Sequence, residues 1–186
     1  VNGRLIILDR DGVINMDSDA YIKSPEEWVP IPGSLEAIAR LHHAGHRVAV
    51  ATNQSGLARG LFDIQTLNRI HNKMLTRVRE HGGQIDLIAF CPHTDDHAPC
   101  RKPNPGMLTE IGQRLSVDLS TAIAVGDTLR DVQAAEAVGA SPVLVRSGKG
   151  ARTLSNTDAP LNGVAVFDDL AAFVDDFLTP ASEAKG

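Results

Sequence analysis

Cysteine, aromatic residues and positive charge are all scarce in this chain. Two cysteines in 186 residues cannot build a disulfide framework, so a reducing compartment, the cytoplasm, is the expected setting. Aromatic residues make up 4%, and 18 Lys and Arg are outnumbered by 23 Asp and Glu, for a net charge of −5. That balance excludes a broad nucleic-acid-binding face with interleaved aromatics, though not a small cationic pocket. No apolar run approaches the ~20 residues that span a bilayer. The opening VNGRLIILD has neither the apolar stretch nor the small-residue cleavage site of a signal peptide, although a start at Val leaves room for a removed leader. Repeats of 20–50 residues and low-complexity blocks are missing too. The expectation is a monomer that acts on a small molecule, with no nucleic acid or membrane partner.

What is present is an alternation. Short apolar, β-branched runs recur at residues 5–8, 48–51, 85–90, 122–125, 143–145 and 164–167. Helical spacing falls between most of them. Leu35, Ile38, Ala39 and Leu41 follow a capping Ser34 and stop at Gly45; Leu67, Ile70, Met74, Leu75 and Val78 follow a capping Asp63. Met107, Leu108, Ile111 and Leu115 make a third stripe after Pro105, and Val132, Ala135, Ala137 and Val138 a fourth before Gly139. Unbroken apolar strands joined by helical crossovers predict a three-layer, Rossmann-like α/β fold with a parallel sheet. One domain over residues 1–178 is expected, with 179–186 as a flexible tail. The stretch from Asn15 to Pro32 is too short for a separate cap domain of ~50 residues, so the fold is capless and specificity must come from loops.

In open α/β sheets the ligand crevice lies at the carboxyl ends of the strands. The first strand ends in Asp9-Arg10-Asp11-Gly12 and the second in Thr52-Asn53-Gln54-Ser55-Gly56. The fourth ends in Gly126-Asp127, with Asp131 one helical turn on, and Arg101-Lys102-Pro103 precedes the third helix. Acids, a hydroxyl and a cation thus converge on one edge. Asp9, Asp11 and Asp127, with no His beside them, make a hard oxygen site of the kind Mg²⁺ prefers. A divalent ion there keeps Asp9 ionised as a nucleophile towards phosphorus, while Thr52 and Lys102 donate to the phosphoryl oxygens. Asp11, two residues on, is placed to move the proton as general acid and then base.

These same residues resemble the four motifs of the haloacid dehalogenase superfamily, over about residues 4–150. At finer grain "LDRDGVIN", "TNQSGLARG", "CPH", "CRKPNPGM" and "VGDTLRDVQAA" resemble its heptose-1,7-bisphosphate phosphatase family. The resemblance implies removal of the C7 phosphate of D-glycero-D-manno-heptose 1,7-bisphosphate through an aspartyl phosphate. Such a step supplies the ADP-heptose of lipopolysaccharide core. It implies Asp9 as nucleophile and Asp11 as acid and base. Magnesium would sit on Asp9, Asp11 (one of the two through its backbone carbonyl) and Asp127. Substrate contacts are implied at Thr52, Asn53, Gln54, Ser55, Arg59, Arg101 and Lys102, and in a specificity loop at Asp17, Asp19 and Tyr21.

Two departures from the family pattern stand out. Thr128 takes the place of a usual Lys. Many members hold a structural zinc through Cys-x-His and Cys-x-Cys; here Cys91, His93 and Cys100 match, but Ala98 occupies the remaining place. His97 is one residue away and completes a Cys91, His93, His97, Cys100 set for a closed tetrahedral Zn²⁺ site. The alternative is two free thiols and two solvated imidazoles. Histidinol-phosphate phosphatases resemble the chain as well, and cationic Arg101 argues for a second phosphate over their free amine. A non-catalytic phosphosugar-binding module would lack Asp9 or Asp11, and both are present. His42, His43, His46, His71 and His81 carry no motif, and Trp28 is expected as a packing anchor.

Overall fold

The computed structural model describes residues 3–156, 161 and 163–179. Of the expected tail at 179–186, all but Thr179 lies outside the described residues. Six parallel strands form one sheet: β1 (Leu5–Leu8), β2 (Arg47–Asn53), β3 (Leu87–Cys91), β4 (Ile123–Gly126), β5 (Ser141–Val145) and β6 (Ala165–Phe167). Their order is β3-β2-β1-β4-β5-β6, and β1 pairs in parallel with β2 on one side and β4 on the other. The chain winds outwards in both directions from β1, so the strand order reverses between β1 and β4. A crevice opens at that point in such sheets.

Period-two alternation divides the strands between two cores. Ile6, Leu8, Val48, Val50 and Val125 face α1 (Ser34–His43), α2 (Ile64–Glu80) and α6 (Leu170–Leu178). Leu5, Ile7, Ala49, Ala51 and Ala124 face α3 (Gly106–Leu115) and α4 (Leu129–Ala137). The second face is rich in alanine, which lets Ala134 and Ala135 of α4 lie close to the sheet. Both faces of β1 are therefore dry, and its run is apolar throughout because no residue of it meets water.

Two helices lie beyond those the spacing predicts: α5 (Gly150–Asn156) and α6, whose Asp169 side chain caps Ala172 N–H. The cap of α1 also differs from expectation. Gly33, at φ 82°, precedes the helix without a side-chain cap, while Ser34 Oγ is buried and donates to Ile14 O at 2.7 Å. Ser34 thus ties α1 to the segment after β1. That segment packs on the main core through Val13, Ile14, Ile22 and a fully buried Trp28, and forms no separate domain. No helix of the described residues is long and apolar enough to cross a membrane.

Candidate active site

The carboxyl ends of β1, β2 and β4 and the loop before α3 enclose a cleft of about 280 Å³. Asp9 leaves β1 with its N–H still bonded to Val125 O at 2.9 Å, so the sheet itself sets its backbone. Its Oδ1 accepts from Arg10 N–H at 2.8 Å and lies 3.1 Å from Lys102 Nζ. Lys102 is buried, and its ammonium also donates to Ala51 O at 2.7 Å and Asp131 Oδ1 at 2.6 Å. Three acceptors match three ammonium protons, which fixes the charge at one point. Asp131 Oδ2 meanwhile accepts from Thr128 N–H (3.0 Å) and Oγ1 (2.7 Å), capping α4.

Carboxylate oxygens of Asp9, Asp127 and Asp131 lie within 4.8 Å of one another. Burial, with the neighbouring Asp131 and Asp11 charges, pushes Asp9 up to about 7 despite Lys102. Burial and the Asp9 and Asp131 charges push Asp127 up to about 8. One ammonium cannot balance three carboxylates in a dry crevice, and hard oxygen donors of this kind suit a divalent cation. Gly12 is required here for two reasons. Its φ is 86°, and a Cβ on it would collide with the Asp127 carboxylate.

Asp11 faces away from this cluster. Burial alone would raise it, but the Arg10 guanidinium and bonds from Asn15 and Gln54 hold it below the usual carboxylate range. Arg10 is fully buried and grips Asp11 through two bonds, Nε to Oδ1 at 2.9 Å and Nη2 to Oδ2 at 3.0 Å. Behind it, His71 Nε2 lies 3.3 Å from Arg10 Nη1, and burial and that charge push His71 down to about 4. Gln54 Nε2 bridges Asp11 Oδ2 and Thr52 Oγ1, both at 2.9 Å, so acid and hydroxyl are set by one amide. As it stands, Asp11 is an oriented base.

Every expected catalytic and substrate residue lines the cleft except Arg59, which is exposed and lies outside it. Asn53 lines it with a different use from that expected. Its amide exchanges two bonds with the Lys102 backbone, Nδ2 to O at 3.1 Å and N–H to Oδ1 at 3.0 Å, and so pins the Lys102 loop to β2. Arg101 and Lys102 diverge: Lys102 enters the acid cluster, while Arg101 bonds Asp96 Oδ1 (3.0 Å) and His93 O (3.1 Å) at the rim. Two cations that motif reasoning passes over, Arg130 and Lys149, also line the cleft, beside Thr128 in the place of the usual Lys.

The four expected zinc ligands are not gathered. Cys91 and Cys100 are bonded to each other as a disulfide, and His93 and His97 are exposed. Paired sulfurs have no thiolate to offer a metal, and among the described residues the only clustered ligand set is the aspartate one. The pairing is neither the expected zinc set nor its alternative of two free thiols.

A family model described as HAD-hydrolase-like matches residues 99–173. The D-glycero-beta-D-manno-heptose-1,7-bisphosphate 7-phosphatase of Pseudomonas aeruginosa is 57% identical over 170 residues, 90% of this chain and 94% of its own length. The phosphatase of the same name from Bordetella bronchiseptica is 55% identical over 179 residues, 96% of this chain and 99% of its own. A crystal structure of the B. bronchiseptica D,D-heptose 1,7-bisphosphate phosphatase, complexed with magnesium and phosphate, superposes with a TM-score of 0.90 over 94% of this chain and 98% of that one. Identity at this level, over nearly the whole of both chains and on the same fold, settles kinship: the chain belongs to the D-glycero-beta-D-manno-heptose-1,7-bisphosphate 7-phosphatase family of HAD-like hydrolases.

Proposed function

We propose that this protein removes the C7 phosphate of D-glycero-β-D-manno-heptose 1,7-bisphosphate. The observation that carries the chemistry is Asp9, held between the Lys102 ammonium and two further carboxylates at the end of β1. Asp9 attacks phosphorus and the bond from phosphorus to the C7 oxygen breaks; Asp11, an ionised base in the free protein, takes up a proton as the substrate binds and gives it to that oxygen. In the second half Asp11 takes a proton from water, which attacks the aspartyl phosphate and frees Asp9 and inorganic phosphate. Thr52 donates to one phosphoryl oxygen, and Lys102, whose contact to Asp9 is released as that carboxylate takes up phosphorus, holds another. Asp9 and Asp127, with the Asp11 backbone carbonyl, would hold Mg²⁺, which supplies positive charge for the phosphoryl group, while Asp131 balances Lys102. The product is one a later heptose-activating step in lipopolysaccharide core synthesis consumes.

Magnesium affinity gives a pH-dependent expectation. Asp9 and Asp127 are pushed above their unfolded values, so the metal-free fold binds extra protons and loses stability as pH rises from about 4 towards 8. Mg²⁺ should therefore raise the melting temperature more at pH 8 than at pH 6, as differential scanning calorimetry with Mg²⁺ and with EDTA can read. An equal rise at both would remove the strained acid cluster from the account.

Arg101 is the residue for the second phosphate, and Lys102 serves the transferring one. Lys102→Ala should depress turnover on every phosphomonoester. Arg101→Ala should cost the sugar bisphosphate about 1.5–3 kcal/mol in kcat/KM and an aryl phosphate far less. Equal losses from Arg101→Ala on both would show that it reads no second phosphate.

Zinc in the Cys91–Cys100 loop is the reading for its reduced form, in which two thiolates and the His93 and His97 imidazoles offer the donor types of a closed site. Protein kept reduced should then carry about one zinc per chain by metal analysis. Reduced protein that carries no zinc would show that the loop is not a metal site.

A further inference from the structure

From the end of β5 into α5 the chain reaches two parts of the site at once. Ser147 Oγ donates to Gly12 O at 2.7 Å. Lys149 N–H donates to Asp127 Oδ2 at 2.8 Å, and Thr153 Oγ1 to Asp127 O at 2.9 Å. Gly148, at φ 59°, lies so near Gly12 and Asp127 that a Cβ on it would collide with both. The backbone under Lys149 is thus fixed against the first and fourth motifs.

From that base the Lys149 side chain crosses to Asp17, with Nζ 3.0 Å from Oδ2. The Asp17 side chain is 15% exposed, so this pair is better shielded than an ordinary surface one. Arg152 adds a longer contact to Asp19 at 3.4 Å. Other bonds of residues 17–21 are local, as from Tyr21 N–H to Ser18 O and from Ala20 N–H to Ser18 Oγ. Tyr21 itself sits at φ 65°, an unfavourable place for a bulky residue. The loop thus carries two carboxylates beside an acid cluster, and Lys149 and Arg152 are the cations that meet them.

We propose that Lys149 is a specificity-determining positioning residue: it straps the Asp17–Tyr21 loop over the cleft, so that the loop's carboxylates and Tyr21 can accept from and donate to the hydroxyls of a polyhydroxylated substrate. This rests on the sugar-bisphosphate reading above. The strap works through Asp17, and its base is the same segment that holds Asp127. Assembly of the metal-side acids and placement of the sugar loop therefore share one anchor.

Lys149→Met keeps the aliphatic stem and removes the charge; Lys149→Arg keeps the charge. In Lys149→Met, KM for the sugar bisphosphate should rise about tenfold with kcat within about threefold, a loss several times that on p-nitrophenyl phosphate. Lys149→Arg should recover most of it. Adding Lys149→Met to Asp17→Asn should cost little more than Asp17→Asn alone, because both cut one strap. Hydrogen exchange at the amides of residues 17–21 should quicken in Lys149→Met and not in Lys149→Arg, with or without substrate. Unchanged exchange, equal losses on both substrates, or full additivity with Asp17→Asn would each overturn the strap. A wild-type enzyme with no preference for the bisphosphate would instead overturn the substrate reading, and the exchange experiment would still judge the strap.

Discussion

Asp9→Asn protein is expected to fold, to melt no lower than wild type without metal, and to lose turnover by about 10⁴-fold or more. The change is isosteric and keeps an oxygen for Arg10 N–H, which now reaches Asp9 Oδ1 at 2.8 Å. It removes one of three crowded carboxylates, and that carboxylate is already pushed up to about 7 by burial and its neighbours. Folding therefore loses little when the charge goes, whereas the chemistry loses its nucleophile. An amide cannot form the acyl phosphate that splits the hydrolysis into two displacements. Activity within tenfold of wild type would mean that water attacks phosphorus directly and that Asp9 only binds metal.

Asp11→Asn should behave differently, and the leaving group should reveal it. Loss of proton transfer costs 10²- to 10⁴-fold where the departing oxygen is an alkoxide that needs a proton. With 2,4-dinitrophenyl phosphate the departing phenolate needs none. The fall in kcat/KM, which reports the steps through phosphoryl transfer, should then be at least tenfold smaller. Stability should drop as well, unlike in Asp9→Asn. Arg10 is fully buried and the Asp11 carboxylate is its counter-charge, so the amide leaves a guanidinium half-paired in a dry site. Equal losses on both substrates would show that Asp11 does not protonate the leaving group. An unchanged melting temperature would show that the Arg10 pair is not a structural one.

The strands were legible because β1, β2 and β4 are buried on both faces and nothing polar interrupts them. The strand-end acids Asp9, Asp11 and Asp127 were legible for the converse reason, since ionised groups directly after a buried run need a partner or a metal. Less visible was how each group is held. Spacing gives no sign that Arg10, between two acids in a loop, is fully buried and grips Asp11. Asn53 reads as a ligand contact, and its amide is spent on the Lys102 backbone. Spacing puts Asp131 at the edge but does not show its 2.6 Å bond to Lys102, which depends on how α4 meets the loop before α3. Lys149 could not be found by spacing at all, because its segment meets Gly12 across 135 residues. Cys91 and Cys100 show the limit of ligand types as a guide: nine residues apart, they satisfy a zinc loop and a disulfide equally well.

The most direct test is to follow the phosphorus atoms of D-glycero-D-manno-heptose 1,7-bisphosphate by ³¹P NMR as wild-type enzyme consumes it with Mg²⁺, for the α and β anomers separately and with histidinol phosphate as competitor. The account predicts that the C7 resonance disappears while the C1 resonance persists. Inorganic phosphate should appear in equal amount, the β anomer should react faster, histidinol phosphate should survive, and EDTA should stop the reaction. Loss of the C1 phosphate, or consumption of histidinol phosphate at a comparable rate, would contradict it.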